Sequence, residues 1–293
     1  MPAATIFHAM ANLNRLQFIL EKNPQGLVLF TSVDGTLLDD ETYTMEAAGS
    51  ALDLLAARDM PLIFCSSKTF AEQAHLQMRL GIRAPFVFEN GSAVAIPQAY
   101  FPDGSYNPNG FSGDYDIVLF SNTDTFRVRS VVTRLNRIYG LQLRGFSDCA
   151  LPELNSLTRL AGQALERARD RMFTEILVNP PDQIDVVALN RQLAQAGLTL
   201  GRNARFNSIQ AIGIDKGVAV RWLKQLYTNV LKFEPVFAGI GDSANDTSMF
   251  TAVDIKFLVQ RPGRIWAPMS VKGLNYIREV GPAGFYQAVQ LLV

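Results

Sequence analysis

Short apolar runs alternate with amphipathic segments over much of the chain. The apolar runs lie at 26–31, 61–65, 235–241 and 255–259, and a polar turn follows each of them. Continuous apolar runs of this length are typical of parallel strands that are buried on both faces. Helices are expected between them: over 44–58 with Thr44 as the N-cap, over 69–80, and onward from Lys216 and Asn245. The alternation predicts an α/β fold with a doubly wound, Rossmann-like parallel sheet.

The middle of the chain has a different pattern. Strands are expected at 115–120, 174–178 and, as a pair, within 198–212, and helices at 123–140, up to about 171, and at 183–197. The loop at 101–114 is rich in Gly, Pro and Asn, which is typical of a boundary between units. We therefore predict an α/β core at 26–111 and 210–293, an inserted α+β cap at 112–209, and a helical extension at 1–25.

Composition narrows the class of protein. Apolar residues make up 48% of the chain and charged residues 18%, which is typical of a soluble globular protein. The net charge is zero, so no basic footprint for nucleic acid is expected. No apolar run is long enough for a membrane span, and the N-terminus does not resemble a signal peptide. The two cysteines, Cys65 and Cys149, form no CxxC motif, so we expect a cytoplasmic, reducing compartment.

Four polar stretches carry the candidate chemistry. They are Ser32–Thr36, Ser66–Thr69, Asp215–Gly217 and Gly241–Asp246. Three follow predicted strands and one opens a predicted helix, and ligands of open α/β sheets bind at the carboxyl edge of the strands. Each stretch alone could be an ordinary turn or helix cap. Because all four fall in order at one predicted edge, together they predict a phosphate-binding site.

The residue types in these stretches suit phosphoryl transfer. Lys216 supplies positive charge, and the Ser66 hydroxyl supplies a hydrogen-bond donor for a phosphoryl group. Asp242 and Asp246 offer the carboxylate oxygens that Mg²⁺ prefers. Asp34 is able to carry a proton between the attacking water and the leaving oxygen. Phosphoryl transfer depends mainly on positioning and charge neutralisation, so this set is nearly sufficient.

The order of the motifs resembles the haloacid dehalogenase superfamily, and the insert resembles its larger cap type. Within that superfamily the chain is similar to the mannosyl-3-phosphoglycerate phosphatases. The similarity rests on the stretches "SSKT" (66–69), "VFENGSAVAIPQAYF" (87–101), "DKGVAV" (215–220), "GDSANDTSMF" (241–250) and "VGPAGF" (280–285). The resemblance implies a Mg²⁺-dependent phosphatase that acts on a glycosylated phosphoglycerate or a related sugar phosphate.

The resemblance also implies roles for particular residues. Asp34 matches the general acid/base, and the implied metal ligands are Asp34, Asp242 and Asp246. The implied phosphate-binding residues are Ser66, Lys216 and Asn245. The implied substrate-binding residues are Glu89, Asn90 and Gly91 in a substrate-facing turn, and Arg171 and Glu175 in the cap.

One residue departs from the family pattern. Ser32 stands where the family has the nucleophilic aspartate, which is also a metal ligand. A serine hydroxyl is a weak nucleophile until a base activates it, and neither His8 nor His75 lies beside a matched motif. Two hypotheses follow: a phosphatase with reduced or altered activity, in which Asp34, Asp39 or Asp40 assists, or a non-catalytic relative that binds a phosphorylated ligand. We also expect the extension at 1–25 to pack on the core or on a partner chain, including a second copy of this chain.

Overall fold

The computed structural model describes residues 23, 26–179, 185–202 and 206–293. Apart from Asn23, the predicted helical extension at 1–25 lies outside the described residues. The described strands are β1 (Val28–Thr31), β2 (Leu62–Cys65), β3 (Phe86–Phe88), β4 (Ala93–Pro97), β5 (Gly110–Ser112), β6 (Tyr115–Leu119), β7 (Glu175–Leu177), β8 (Leu198–Arg202), β9 (Asn207–Ala211), β10 (Phe237–Gly241), β11 (Ile255–Gln260) and β12 (Leu274–Val280).

The described α-helices are α1 (Gly49–Ala57), α2 (Phe70–Leu80), α3 (Thr125–Tyr139), α4 (Leu151–Thr158), α5 (Gly162–Arg169), α6 (Val186–Ala194), α7 (Lys216–Leu231), α8 (Thr247–Ala252) and α9 (Gly281–Gln290). Short 3₁₀ turns cover Glu46–Ala48, Glu89–Gly91, Phe146–Asp148 and Ala244–Asp246. The 3₁₀ turn at Glu46–Ala48 leads directly into α1, so the helix begins later than predicted and Thr44 is not its N-cap. The Thr44 hydroxyl instead contacts that of Thr42 at 2.9 Å.

The large sheet has the order β12-β11-β10-β1-β2-β3-β4-β6-β5 among the described strands. Pairing is parallel from β12 to β3 and antiparallel from β3 to β5. Alternate residues of each strand point to opposite faces, so on β1 Leu29 joins one hydrophobic cluster and Phe30 the other. Helices α1, α2 and α9 cover the first face, and α7 and α8 cover the second. The prediction of a doubly wound α/β core is confirmed.

The insert forms a separate layer with its own core. Strands β7, β9 and β8 pair antiparallel in a second sheet, and α3 packs on it through Val128, Val131 and Leu135. The predicted limits of the insert, 112 and 209, do not coincide with these sheets. Strand β6 pairs with β4 in the large sheet, while β9, which ends at Ala211, belongs to the small one. The apolar pattern of a strand does not specify which sheet the strand joins, because pairing is non-local.

None of the helices in the described part of the chain combines the length and apolar character needed to span a bilayer.

Candidate active site

The polar ends of three neighbouring parallel strands meet beneath the cap. Ser32 follows β1, Ser66 follows β2 and Asp242 follows β10, while α7 brings Lys216 to the same edge. All four line one cavity of about 120 Å³. The cap lies over it, because Thr69 Oγ1 donates to the Arg167 carbonyl at 2.8 Å and the Tyr43 hydroxyl donates to the Thr158 carbonyl at 3.0 Å. The predicted convergence of the four stretches is therefore seen in the fold.

Lys216 is a fully buried cation at the floor of this cavity. Asp215 caps α7 by accepting from the Val218 N–H, which fixes where the lysine side chain starts. Lys216 Nζ donates to Asp246 Oδ1 at 2.6 Å and to Ser32 Oγ at 3.4 Å. Burial lowers the pKa of Lys216, but the neighbouring groups, led by the Asp246 carboxylate, together outweigh that effect and the pKa is raised above its ordinary value. The side chain is therefore an ammonium that faces the Ser32 hydroxyl.

Asp246 holds Lys216 and the adjoining loop rather than opening into the cavity. Its second oxygen accepts from the main-chain N–H groups of Asp242 and Ser243 and from the Ser243 hydroxyl. Asp246 is fully buried and does not line the cavity. Of the two carboxylates after β10, Asp242 is thus the one exposed to a ligand.

Asp242 is a buried carboxylate with incomplete charge compensation. Burial and the neighbouring Asp246 raise the pKa of Asp242 to about 8. Thr36 Oγ1 donates to Asp242 Oδ1 at 3.3 Å, and Arg261 Nε lies 3.7 Å from Oδ2. Gly35 makes this packing possible, since its φ is +70° and a Cβ there would lie 2.7 Å from Asp242 Oδ2. The carboxylate is held close to the β1 turn and needs a cation to be stably ionised.

Asp34 faces the cavity from the same turn as Ser32. Lys68 Nζ lies 3.0 Å from Asp34 Oδ1 and 3.1 Å from Glu72 Oε1, so one ammonium bridges two carboxylates. Enclosure raises the pKa of Asp34, and Lys68 opposes that shift. Lys68 lies inside the Ser66–Thr69 stretch but was not predicted as a site residue. The sequence signal that could have identified it is its spacing of four residues from Glu72 on α2.

The residues predicted from the sequence divide into two groups. Those that line the cavity are Ser32, Asp34, Ser66, Arg171, Lys216, Asp242 and Asn245. Those that do not are Glu89, Asn90, Gly91, Glu175 and Asp246. Glu89 is fully buried behind the wall. Glu175 is a buried residue of cap strand β7, where it pairs with Arg129 on α3 and accepts from the Ser147 N–H.

The cap side of the cavity is largely apolar among the described residues. Phe146 and Phe206 form an edge-to-face pair with ring centroids 5.5 Å apart, and Leu160 and Ile176 lie beside them. Arg171 is the cationic cap side chain at this wall within the described ranges. The aromatic residues were not predicted, because nothing in their sequence spacing connects them with the core motifs.

The residues present fit one divalent cation that is held only in part by the protein. Across the described ranges, no three His, Cys, Asp or Glu side chains cluster closely enough to hold a metal ion. Mg²⁺ nevertheless commonly uses one or two carboxylates and completes its shell with water and substrate phosphate. Asp242, whose raised pKa marks a carboxylate without full compensation, suits that role. The Ser32 hydroxyl lines the same cavity and would be a weaker ligand.

A doubly wound core with a cap over the carboxyl edge of the strands, and acidic turns after its first and fourth parallel strands along the chain, is the architecture of the haloacid dehalogenase class of hydrolases. A solved phosphatase of the haloalkanoate (HAD) enzyme superfamily from Bacteroides thetaiotaomicron has a TM-score of 0.59 to this chain. The match covers 90% of this chain and 94% of that chain at 15% identity, which supports the fold alone.

Similarity to curated relatives identifies the family more specifically than the fold does. A glucosyl-3-phosphoglycerate/mannosyl-3-phosphoglycerate phosphatase from Methanococcoides burtonii is 33% identical over 267 residues, covering 91% of this chain and 97% of the relative. A mannosyl-3-phosphoglycerate phosphatase from Pyrococcus furiosus is 32% identical over 232 residues, covering 79% of this chain and 90% of the relative. No family model matches the chain. The chain belongs to the mannosyl-3-phosphoglycerate phosphatase family.

Proposed function

We propose that this chain is a Mg²⁺-dependent phosphatase of a glycosylated phosphoglycerate or a related sugar phosphate, with turnover slowed by Ser32. The observation that carries the proposal is the cavity beneath the cap. It combines the Lys216 ammonium, the Ser66 hydroxyl and the Asn245 amide with the two carboxylates of Asp34 and Asp242. These groups suit a phosphate monoester, since they supply positive charge, hydrogen-bond donors and oxygen ligands.

Ser32 is poorly suited to act as the nucleophile. Its hydroxyl accepts a hydrogen bond from the Lys216 ammonium, which has no free lone pair to remove the serine proton. His75 lies outside the cavity lining, and His8 lies outside the described residues. A phosphoserine, once formed, would also be far more resistant to hydrolysis than an acyl phosphate. Covalent catalysis through residue 32 is therefore disfavoured on chemical grounds.

A direct attack by water is the route that these side chains favour. The water oxygen bonds to phosphorus as the ester P–O bond breaks, and Asp34 takes the water proton and returns it to the departing alcohol oxygen. Asp40 lines the cavity nearby. Asp39 is engaged elsewhere, because its Oδ1 accepts from the main chain of Glu41 and Thr42 and from the Thr42 hydroxyl.

Asp242 is the carboxylate that would hold Mg²⁺, together with the Ser32 hydroxyl. When bound, the cation supplies charge neutralisation at the phosphoryl oxygens. The other side chains act without contacting the metal. Lys216 and Ser66 bind the phosphoryl group, and Lys68 keeps the Asp34 carboxylate in place.

The alcohol part of the substrate is expected to contact the cap. The names of the curated relatives specify hexosyl phosphoglycerates. The rings of Phe146 and Phe206 suit the apolar face of a sugar ring, and Arg171 suits a carboxylate. These features support a glycosylated phosphoglycerate, with Arg171 as the anion-binding residue of the cap.

Ser32 also favours a second candidate function. A site that keeps its phosphate-binding groups and lacks an activated nucleophile is suited to hold a phosphorylated ligand without hydrolysing it. The second candidate is therefore a non-catalytic relative that acts as a sensor or partner subunit. Its distinguishing property is tight binding of the ester with no phosphate release.

The test is phosphate release from a panel of sugar phosphates, with and without Mg²⁺, for the native protein and the Ser32→Asp variant. We expect slow, Mg²⁺-dependent release by the native protein and faster release by the variant. Ser32→Asn serves as the control, because it adds a polar side chain of similar size without a carboxylate. Turnover by the native protein at the rate of Ser32→Asp would exclude the non-catalytic candidate. A Ser32→Asp variant that is inactive on every ester would contradict the assignment of Ser32 as the limiting residue.

A further inference from the structure

The turn Glu89–Asn90–Gly91 has an unusual backbone. Three consecutive residues have positive φ angles, which are +46° at Glu89, +60° at Asn90 and +92° at Gly91. Asparagine and glycine tolerate this region, but glutamate rarely adopts it, so the conformation is strained. Strain of this kind persists only where surrounding contacts hold it. The contacts that hold the turn in this conformation therefore indicate its structural role.

The backbone of the turn supports two loops of the phosphate site. The Asn90 N–H donates to the Ser66 carbonyl and the Glu89 N–H donates to the Lys68 carbonyl, both at 3.0 Å. Gly91 packs directly on the chain that leads into Lys216, and a Cβ at Gly91 would lie 2.0 Å from the Asp215 carbonyl oxygen. The turn thus fixes the loops that carry Ser66 and Lys216.

The Asn90 side chain connects the phosphate site with the cap. Its Oδ1 accepts from Asn245 Nδ2 at 3.0 Å, and Asn245 lines the cavity. Its Nδ2 donates to Gln210 Oε1 at 3.0 Å and to Ser208 Oγ at 3.3 Å, on strand β9 of the cap. Asn90 is fully buried, so these contacts are made away from bulk water.

The Glu89 carboxylate holds a second segment of the cap. It accepts from the N–H groups of Met172, Phe173 and Thr174, at 2.7, 3.0 and 2.8 Å, and from the Thr174 hydroxyl at 2.7 Å. Hydrogen bonds to a charged acceptor are stronger than neutral ones. This segment begins at Arg171, whose guanidinium donates to the Ser67 carbonyl at 2.8 Å. Glu89 therefore sets the position of the cationic cap residue at the cavity wall.

We propose that the Glu89–Gly91 turn couples occupancy of the phosphate site to the position of the cap, with Asn90 and Glu89 as positioning residues. A phosphoryl group that orders Asn245 also orders Asn90, and through it β9. A displaced cap conversely withdraws support from Asn245. Such coupling is reciprocal. The factor by which bound phosphate stabilises the contact between the turn and the cap equals the factor by which that contact strengthens phosphate binding. The proposal rests on the phosphate-binding part of the proposed function and goes beyond it.

The test uses hydrogen exchange of the full chain with and without inorganic phosphate. In the native protein, phosphate should slow exchange of the amides at 172–177 and 207–211. Asn90→Gly keeps the left-handed backbone, removes the side-chain bonds to Asn245, Gln210 and Ser208, and leaves the Glu89 bonds to residues 172–174 in place. It should abolish the effect of phosphate on the β9 amides at 207–211 and weaken phosphate binding by about fivefold, the equivalent of one hydrogen bond.

Two further variants separate coupling from general damage. Gln210→Met removes one acceptor on the cap side and leaves the Asn90–Asn245 bond in place, so it should reduce the protection of β9 by phosphate. Glu166→Gln changes an exposed residue of the cap helix α5 and should behave as the native protein does.

Equal protection of the β9 amides at 207–211 by phosphate in Asn90→Gly and in native protein would overturn the proposal. The proposal would also be overturned if millimolar phosphate failed to bind the native chain, and that result would contradict the assignment of the phosphate site as well. If phosphate slows hydrogen exchange of the cap in the native chain, but that chain hydrolyses no ester, the coupling is supported and only the proposed phosphatase activity is refuted.

Discussion

Replacement of Lys216 by Met tests the electrostatic core of the site. Lys216 Nζ and Asp246 Oδ1 are 2.6 Å apart, and both side chains are at most 2% exposed. Lys216→Met keeps the unbranched shape and removes the charge, which leaves the Asp246 carboxylate buried beside Asp242. Breaking one partner of a buried pair typically destabilises a protein by about 3–5 kcal/mol. We expect a loss in that range, because the three remaining donors to Asp246 are neutral.

Urea unfolding followed by tryptophan fluorescence measures this loss. The two tryptophans, Trp222 and Trp266, both lie in the α/β core, so the signal reports the unit that contains the pair. Lys224→Met is the matched control on the same helix. Its partner Asp254 is 3.0 Å away but half exposed, so the expected loss is below about 1 kcal/mol.

A second substitution checks the cause. Asp246→Asn, added to Lys216→Met, removes the uncompensated charge and should recover about 2 kcal/mol of the loss. If Lys216→Met is no more destabilising than Lys224→Met, the pair does not stabilise the site as argued. If the double variant is less stable than Lys216→Met, the damage comes from packing rather than from charge.

Three further outcomes are expected. First, burial raises the pKa of Asp242 from its ordinary 3.8 to about 8 in the folded protein. Between these two pH values the folded state holds a proton that the unfolded state releases. With EDTA present to remove metal, the free energy of unfolding of the native protein should therefore fall as pH rises, by up to about 1.4 kcal/mol per pH unit. Asp242→Asn should flatten that slope in urea unfolding, and stability that rises with pH in the native protein but not in the variant would contradict the reasoning. Second, Gly91→Ala should cost about 3–4 kcal/mol in thermal unfolding, against about 1–2 kcal/mol for Gly81→Ala, which has open space around its Cβ; equal losses would show that φ alone matters. Third, Ser32→Asp should tighten Mg²⁺ binding by about tenfold or more in calorimetry, whereas Ser32→Asn should not, and equal affinities would remove residue 32 from the metal site.

The core strands and the four polar stretches could be predicted from local patterns. Strands β1, β2 and β10 are short and almost wholly apolar, and the residue that ends each of them leads into a cavity-lining side chain. Local order along a parallel sheet is enough to bring Ser32, Ser66 and Asp242 to one edge. The prediction succeeded where the position of a residue depended on its own strand.

The rest depended on contacts between distant segments. Arg261 approaches Asp242 from the end of β11, and no spacing in the sequence connects the two. Glu89 was expected to face the substrate because it belongs to a family stretch. Its carboxylate instead accepts from residues 83 to 85 positions further along the chain. A local motif identifies such a residue and does not reveal which side of the cavity wall it faces.

The contacts of the Glu89–Gly91 turn have a consequence for the order of folding. Asn90 contacts partners 118, 120 and 155 residues away along the chain. The entropy of closing such loops must be overcome before these bonds form, so long-range contacts tend to form late. The strained backbone of the turn becomes stable only after both halves of the core and the cap have assembled. We therefore expect the turn to be among the last parts of the chain to reach its native conformation, and we expect a chain without the cap to lack the contacts that hold it.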